Sequence, residues 1–142
     1  MTYAVRRPTG YQSARSYQDI GLETEVMSAA PERLITLLYR GARAAIAQAR
    51  LHLEAGRVAE RGQAISKATR IVDEGLKQGL NMEAGGELAA NLSELYDFVT
   101  RTLLKANLHA DAGQLDVADR LLAELASAWE SSVDPAPAGA SA

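Results

Sequence analysis

The residues that could carry chemistry in this chain are few, and their spacing argues against a reaction centre. There is no cysteine, which excludes thiolate nucleophiles, disulfides and Cys-ligated metals together. The two histidines, His52 and His109, stand 57 positions apart. Ala49 and Ala106 lie three residues before them, where the Glu-x-x-His of carboxylate-bridged di-iron bundles requires glutamate. The acidic pairs Asp73-Glu74 and Asp116 with Asp119 invite a hydrolase reading. Adjacent helical positions face different directions, however, and no second pair is placed as acid or base. They read as solvated surface, with an Asp73–Lys77 contact one turn apart worth ~0.3 kcal/mol. Gly85-Gly86 lacks the Lys-Ser/Thr and the preceding strand of a phosphate loop, so it reads as a hinge at a helix boundary. Gly75-x-x-x-Gly79 has the spacing of a membrane-helix pair, but Lys77 and Gln78 inside it exclude that use. The expectation is a chain that is not an enzyme and needs no metal or cofactor.

What remains is a set of elements that must position a binding surface. The 142 residues suit one domain. Alanine (27) and leucine (18) dominate, against one phenylalanine, Phe98, and one tryptophan, Trp129, which favours helices over a β-sandwich. A net charge of −3 is a poor basis for holding a polyanion, so no nucleic acid is expected. Behind Arg6-Arg7 comes Pro8 rather than an apolar stretch, and no run approaches the ~18 apolar residues of a membrane span. A cytoplasmic protein away from membranes is expected.

Pro31 opens the first long helical pattern, since proline is favoured in a first turn. Leu34, Leu38, Ala42, Ala45, Ala49 and Leu53 follow on one stripe, and Gly56 is the expected left-handed terminator. A second helix is expected over about 58–80, although Gly62, Gly75 and Gly79 each cost ~1 kcal/mol relative to alanine. The third, about 87–108, carries Leu88, Leu92, Leu95, Val99, Leu103 and Ala106. The fourth has the cleanest period, Leu115, Ala118, Leu122, Leu125 and Trp129. Short loops between long helices allow only antiparallel neighbours. The fold expected is therefore all-α: an antiparallel up-down-up-down four-helix bundle over 31–132. An N-terminal arm over 1–30, with a short helix near 13–20, precedes it, and a disordered tail over 133–142 follows. Residues 31–57 carry five arginines against two acids, and residues 58–142 seven basic against thirteen acidic groups. That polarity lets the first helix sit against acidic neighbours, or orients a partner.

Several segments, in order, resemble a known family. They are Tyr17-Gln18; Ser28-Ala29-Ala30-Pro31-Glu32-Arg33-Leu34-Ile35 leading into Leu38-Tyr39-Arg40-Gly41-Ala42; and Lys67-Ala68-Thr69-Arg70-Ile71-Val72. Then come Gly85-Gly86-Glu87-Leu88-Ala89-Ala90-Asn91-Leu92 with Leu95-Tyr96-Asp97, Leu103-Leu104-Lys105-Ala106-Asn107, and Leu121-Leu122…Leu125…Ala128-Trp129. From about Tyr17 to Trp129 the chain resembles the flagellar secretion chaperone family FliS. One departure is Ala30, where the family commonly has a capping Ser or Thr; the missing hydroxyl is worth ~1 kcal/mol.

The resemblance implies a helical bundle without catalysis that holds the C-terminal segment of flagellin before export and so prevents premature polymerisation. It also implies, as further partners, the flagellar export apparatus or an anti-sigma factor, with the free chain a monomer or weak homodimer. The residues expected to meet flagellin are Tyr17, Ile20, Leu38, Tyr39, Ala42, Ile71, Leu88, Asn91, Leu92, Leu95, Tyr96 and Asn107. Some of these have a second reading. Tyr39 and Tyr96 fit either the core edge or a groove wall; Asn91 and Asn107 either bond another helix or reach the client's backbone. The arm residues Tyr11, Tyr17, Ile20 and Leu22 suit a permanent cover or a displaceable lid. The alanine-rich stripe of the first helix is expected to leave room for a visiting helix. A non-catalytic, self-associating helical module is the alternative to a chaperone.

Overall fold

The computed structural model describes residues 30–133. Among them are four helices and no strand: α1 (Pro31–Glu54), α2 (Val58–Arg70, running on as a π-helix over Ile71–Lys77), α3 (Met82–His109) and α4 (Ala112–Val133). α4 thus ends at Val133, the first residue of the expected tail. The expected arm helix and the rest of the tail lie outside the described residues.

Each boundary has a local cause. Ala30 caps α1 without a side-chain hydrogen bond, and Pro31 follows in the first turn. The Leu34 N–H donates to the Ala30 carbonyl at 2.8 Å. Gly56 (φ 73°) closes α1, its N–H donating to Leu53 O at 3.2 Å while the Arg57 N–H donates to His52 O at 2.9 Å. These are the paired bonds of a Schellman motif. α3 starts on Asn81, whose Oδ1 accepts from the Ala84 N–H at 3.0 Å. It breaks after one turn at Gly86 (φ 53°, ψ −129°) and then runs unbroken, so the glycine pair is a helix boundary. Ala110, in the left-handed region, ends it, and Asp111 Oδ1 accepts from the Gly113 N–H at 2.9 Å to open α4.

The second helix departs from the uniform α-helix expected over 58–80. From Ile71 its turns widen, and the Gln78 N–H donates to Asp73 O at 3.0 Å, a five-residue step. Ile71 with Leu76 and Gly75 with Leu80 are buried, five residues apart, the repeat that a π-turn stacks. Gly75 packs close under Leu38: a β-carbon on it would stand 2.9 Å from Leu38 Cδ2, so the leucine would have to shift.

α1 packs on α2 and α4, and α3 packs on the same two helices. The interior between them is filled by Leu38, Ala42, Ala49, Ala68, Ile71, Val72, Val99, Leu103, Leu115 and Leu122, all fully buried. Burying one such leucine contributes about 1.5–3 kcal/mol. The alanine stripe of α1 is therefore not open. Ala42, Ala45 and Ala49 are covered by the chain's own helices, whose close approach the small side chains permit.

Polar links fasten the outside. Arg43 reaches across to Asp119 with two bonds, at 2.9 and 3.3 Å, and Arg50 pairs with Asp116. The basic first helix thus does sit against acidic groups of α4, and Asp116 and Asp119 are paired rather than free. Lys77 bonds Asp97 at 2.6 Å, joining the π-segment to α3 in place of the expected pair with Asp73. Such exposed pairs contribute only ~0–1 kcal/mol each. At the other end of α4, the Trp129 indole N–H donates to Glu32 O at 3.2 Å and anchors the uncapped start of α1.

Candidate functional site

The residues singled out in the sequence fall into two groups. Leu38, Tyr39, Ala42, Ile71 and Tyr96 are interior, each 3% exposed or less. The two tyrosine hydroxyls share a 2.6 Å hydrogen bond and link α1 to α3 inside an apolar core. Burial pushes the Tyr39 phenol above its ordinary value of 10.0, with the bond to Tyr96 acting the other way. These side chains shape the interior, and a partner could touch them only by displacing what covers them.

Leu88, Asn91, Leu92 and Leu95 lie together on α3. At spacings of 3, 4 and 7 they share one side of the helix. Leu88 is 58% exposed; Asn91 is also exposed, Leu95 half-buried, and Leu92 leans against the core. Phe98 continues the strip, three residues beyond Leu95 and 42% exposed. A groove of about 620 Å³ runs along this strip, lined by Asn91, Glu94, Leu95, Asp97, Phe98 and Arg101. Its walls set two apolar side chains, Leu95 and Phe98, among an amide and both signs of charge, a mixture that suits the polar rim of an interface around a small apolar anchor. Phe98 was absent from the sequence-based set because the stripe was traced through its neighbour Val99, which faces inward. The i+3 step from Leu95 was the signal that could have revealed it.

Asn107 belongs to neither group. The Arg61 Nε–H donates to its Oδ1 at 2.9 Å, and Arg61 Nη2 donates to its carbonyl at 3.1 Å, which ties α2 to the end of α3. Tyr17 and Ile20 lie outside the described residues. No group of three or more metal-ligating side chains occurs among the described residues, and no helix there is long and apolar enough to cross a membrane.

A solvent-facing apolar strip on a helical scaffold is compatible with many binding proteins, and comparison with known sequences narrows the choice. The family model described as "Flagellar protein FliS" matches residues 13–136. This chain belongs to the FliS family. The flagellar secretion chaperone FliS of Salmonella typhimurium is 49% identical to it over 116 residues, 82% of this chain and 86% of that protein. The flagellar secretion chaperone FliSB of Pseudomonas aeruginosa is 40% identical over 119 residues, 84% and 94% of the two chains. A Bacillus subtilis FliS chaperone is similar at 28% identity over 111 residues. Membership of the FliS family agrees with the resemblance seen in the sequence and with the all-helical structure.

Proposed function

We propose that this chain is a cytoplasmic secretion chaperone that binds the C-terminal region of flagellin and keeps it from polymerising before export. The carrying observation is the exposed strip Leu88–Asn91–Leu95–Phe98 beside its groove, in a chain whose relatives are named flagellar secretion chaperones. An amphipathic helix docks by inserting residues at i, i+3, i+4 and i+7 into such a groove. Its apolar face is then occupied, so it cannot join a growing filament, and no bond need be made or broken. Asn91 supplies an amide for backbone groups of the client that lose water on binding. Leu38, Tyr39, Ala42, Ile71 and Tyr96 hold α3 in position from within.

In this reading the helices form an antiparallel up-down-up-down bundle. Support comes from contacts that join the start of α1 to the end of α4, Glu32 with Trp129, and the later part of α1 to the start of α4, Arg50 with Asp116. In this reading the N-terminal arm, with Tyr17 and Ile20, competes with the client, so deleting residues 1–22 should raise client affinity in calorimetry. The direct test of the site replaces Leu88 or Phe98 with aspartate. Both side chains are largely exposed, so circular dichroism should stay unchanged while flagellin no longer co-elutes on a sizing column. A folded variant that binds normally would remove the strip from the proposal.

A further inference from the structure

The last turns of α3 present a second apolar surface, beyond the strip at Leu88–Phe98. Arg101, Leu104, Lys105 and Leu108 fall at i, i+3, i+4 and i+7, on one face of the helix. All four are exposed, Leu104 by 58% and Leu108 by 68%. The bonds from Arg61 to Asn107 hold the start of α2 beside this end of α3. There Val58, one turn before Arg61, is 62% exposed, and Arg57 stands at the N-cap position of α2.

The free charge here is of one sign. From Phe98 to Ala110 the sequence has no acidic residue. Arg57, Arg61, Arg101 and Lys105 form no ion pair among the described residues, whereas Arg43, Arg50, Arg70 and Lys77 each do. The acids of the flanking segments are turned elsewhere: Glu60 lines a groove between α1 and α2, Asp97 bonds Lys77, and Asp111 accepts from the Gly113 N–H. Helix stability does not account for Arg57 and Arg61, since the dipole disfavours cations at the start of a helix. In a chain of net charge −3, exposed leucines thus stand inside a basic rim.

We propose that this face docks an acidic amphipathic helix of a second protein, distinct from the helix received by the α3 strip. Leu104 and Leu108, about 6 Å apart along the axis, take apolar residues one turn apart on that helix. Arg101 and Lys105 on one side, and Arg57 and Arg61 on the other, meet carboxylates that flank its apolar stripe. Opposite charge steers the encounter, and the leucines reject partners that offer charge alone. A nucleic acid would use the cations but leave Leu104, Leu108 and Val58 in water. An anionic membrane would need a broader apolar face than two turns provide.

Fluorescence anisotropy of the full chain tests this with a labelled synthetic helix of about 18 residues, five turns. It carries leucine at i, i+4, i+7 and i+11, glutamate beside each, and alanine elsewhere. A Kd of about 1–100 µM is expected at low salt for so small an interface. Arg57→Glu with Lys105→Glu should weaken binding at least ~10-fold, and Leu108→Ser at least ~5-fold, with circular dichroism unchanged. The Leu88→Asp/Phe98→Asp variant should bind the peptide as the original chain does. A peptide with lysine in place of glutamate should not bind. Absence of binding, or an affinity that ignores the charge or leucine changes, overturns the proposal. So does loss of binding in the Leu88→Asp/Phe98→Asp variant, which would put the peptide on the strip. Vesicles of phosphatidylcholine with about 30% phosphatidylserine, or a single-stranded oligonucleotide, should not displace the peptide; displacement by either assigns the cations to that ligand and equally overturns it. Flagellin takes no part in the experiment, so its outcome is separate from the chaperone reading.

Discussion

At the residue scale the most consequential pair is Tyr39 with Tyr96. The fold favours the protonated phenol of Tyr39, whose pKa lies above its ordinary 10.0 because of burial. That contribution is complete below pH 10 and is lost as pH rises through the folded value. Lys77, raised above 10.5 chiefly by its bond to Asp97, acts in the same direction. Stability should therefore be flat through neutral pH and fall above about pH 10. Tyr39→Phe should remove part of that fall and cost about 1 kcal/mol at neutral pH, the net worth of one hydrogen bond. Thermal unfolding at pH 7 to 11 reads both effects. Gly75 makes a second claim. Alanine there would place a methyl group 2.9 Å from Leu38 Cδ2, and the overpacking should cost about 1–3 kcal/mol in urea unfolding.

At the element scale the boundaries lend themselves to engineering. Ala30 leaves α1 without a side-chain cap, so Ala30→Ser should add about 1 kcal/mol. Gly86 holds a positive φ with nothing within 4 Å of a notional β-carbon. Gly86→Ala should therefore cost about 1–2 kcal/mol through backbone strain alone; differential calorimetry resolves both changes. Much of this scale was legible in the sequence. Pro31, Gly56 and Gly85-Gly86 marked where α1 begins, where it ends and where α3 breaks, because proline and glycine act on their own backbone. The π-segment was not legible. Its residues read as ordinary α-helix, and it lies where Gly75 packs close under Leu38, a contact between distant parts of the chain. For the same reason Lys77 was paired with its neighbour Asp73 when its partner is Asp97, twenty positions away.

At the scale of the whole molecule, stripes of period 3.6 show that a helix has an apolar side but not what covers it. The stripe of α1 was expected to stay open to a visitor; α2 and α4 cover it. The tyrosines allowed both a wall and a core reading, and in this structure they are core. Most of the exposed large apolar side chains among the described residues lie on α3; Leu88 and Leu95 stood out in the sequence as apolar stripe positions, whereas Phe98 was hidden beside the inward-facing Val99. In the proposed function recognition depends on one face of one helix, held from inside by a packed interior and from outside by the Lys77–Asp97 and Arg61–Asn107 links. A client bound there needs no rearrangement of the core.

Titration calorimetry of the purified chain with flagellin tests that claim most directly, using intact flagellin and flagellin lacking its C-terminal segment. Intact flagellin should bind, the truncated form should not, and the folded Leu88→Asp/Phe98→Asp variant should lose at least ~100-fold in affinity, as removal of central interface anchors does. Equal binding of both flagellins, or undiminished binding by the folded variant, would contradict the account.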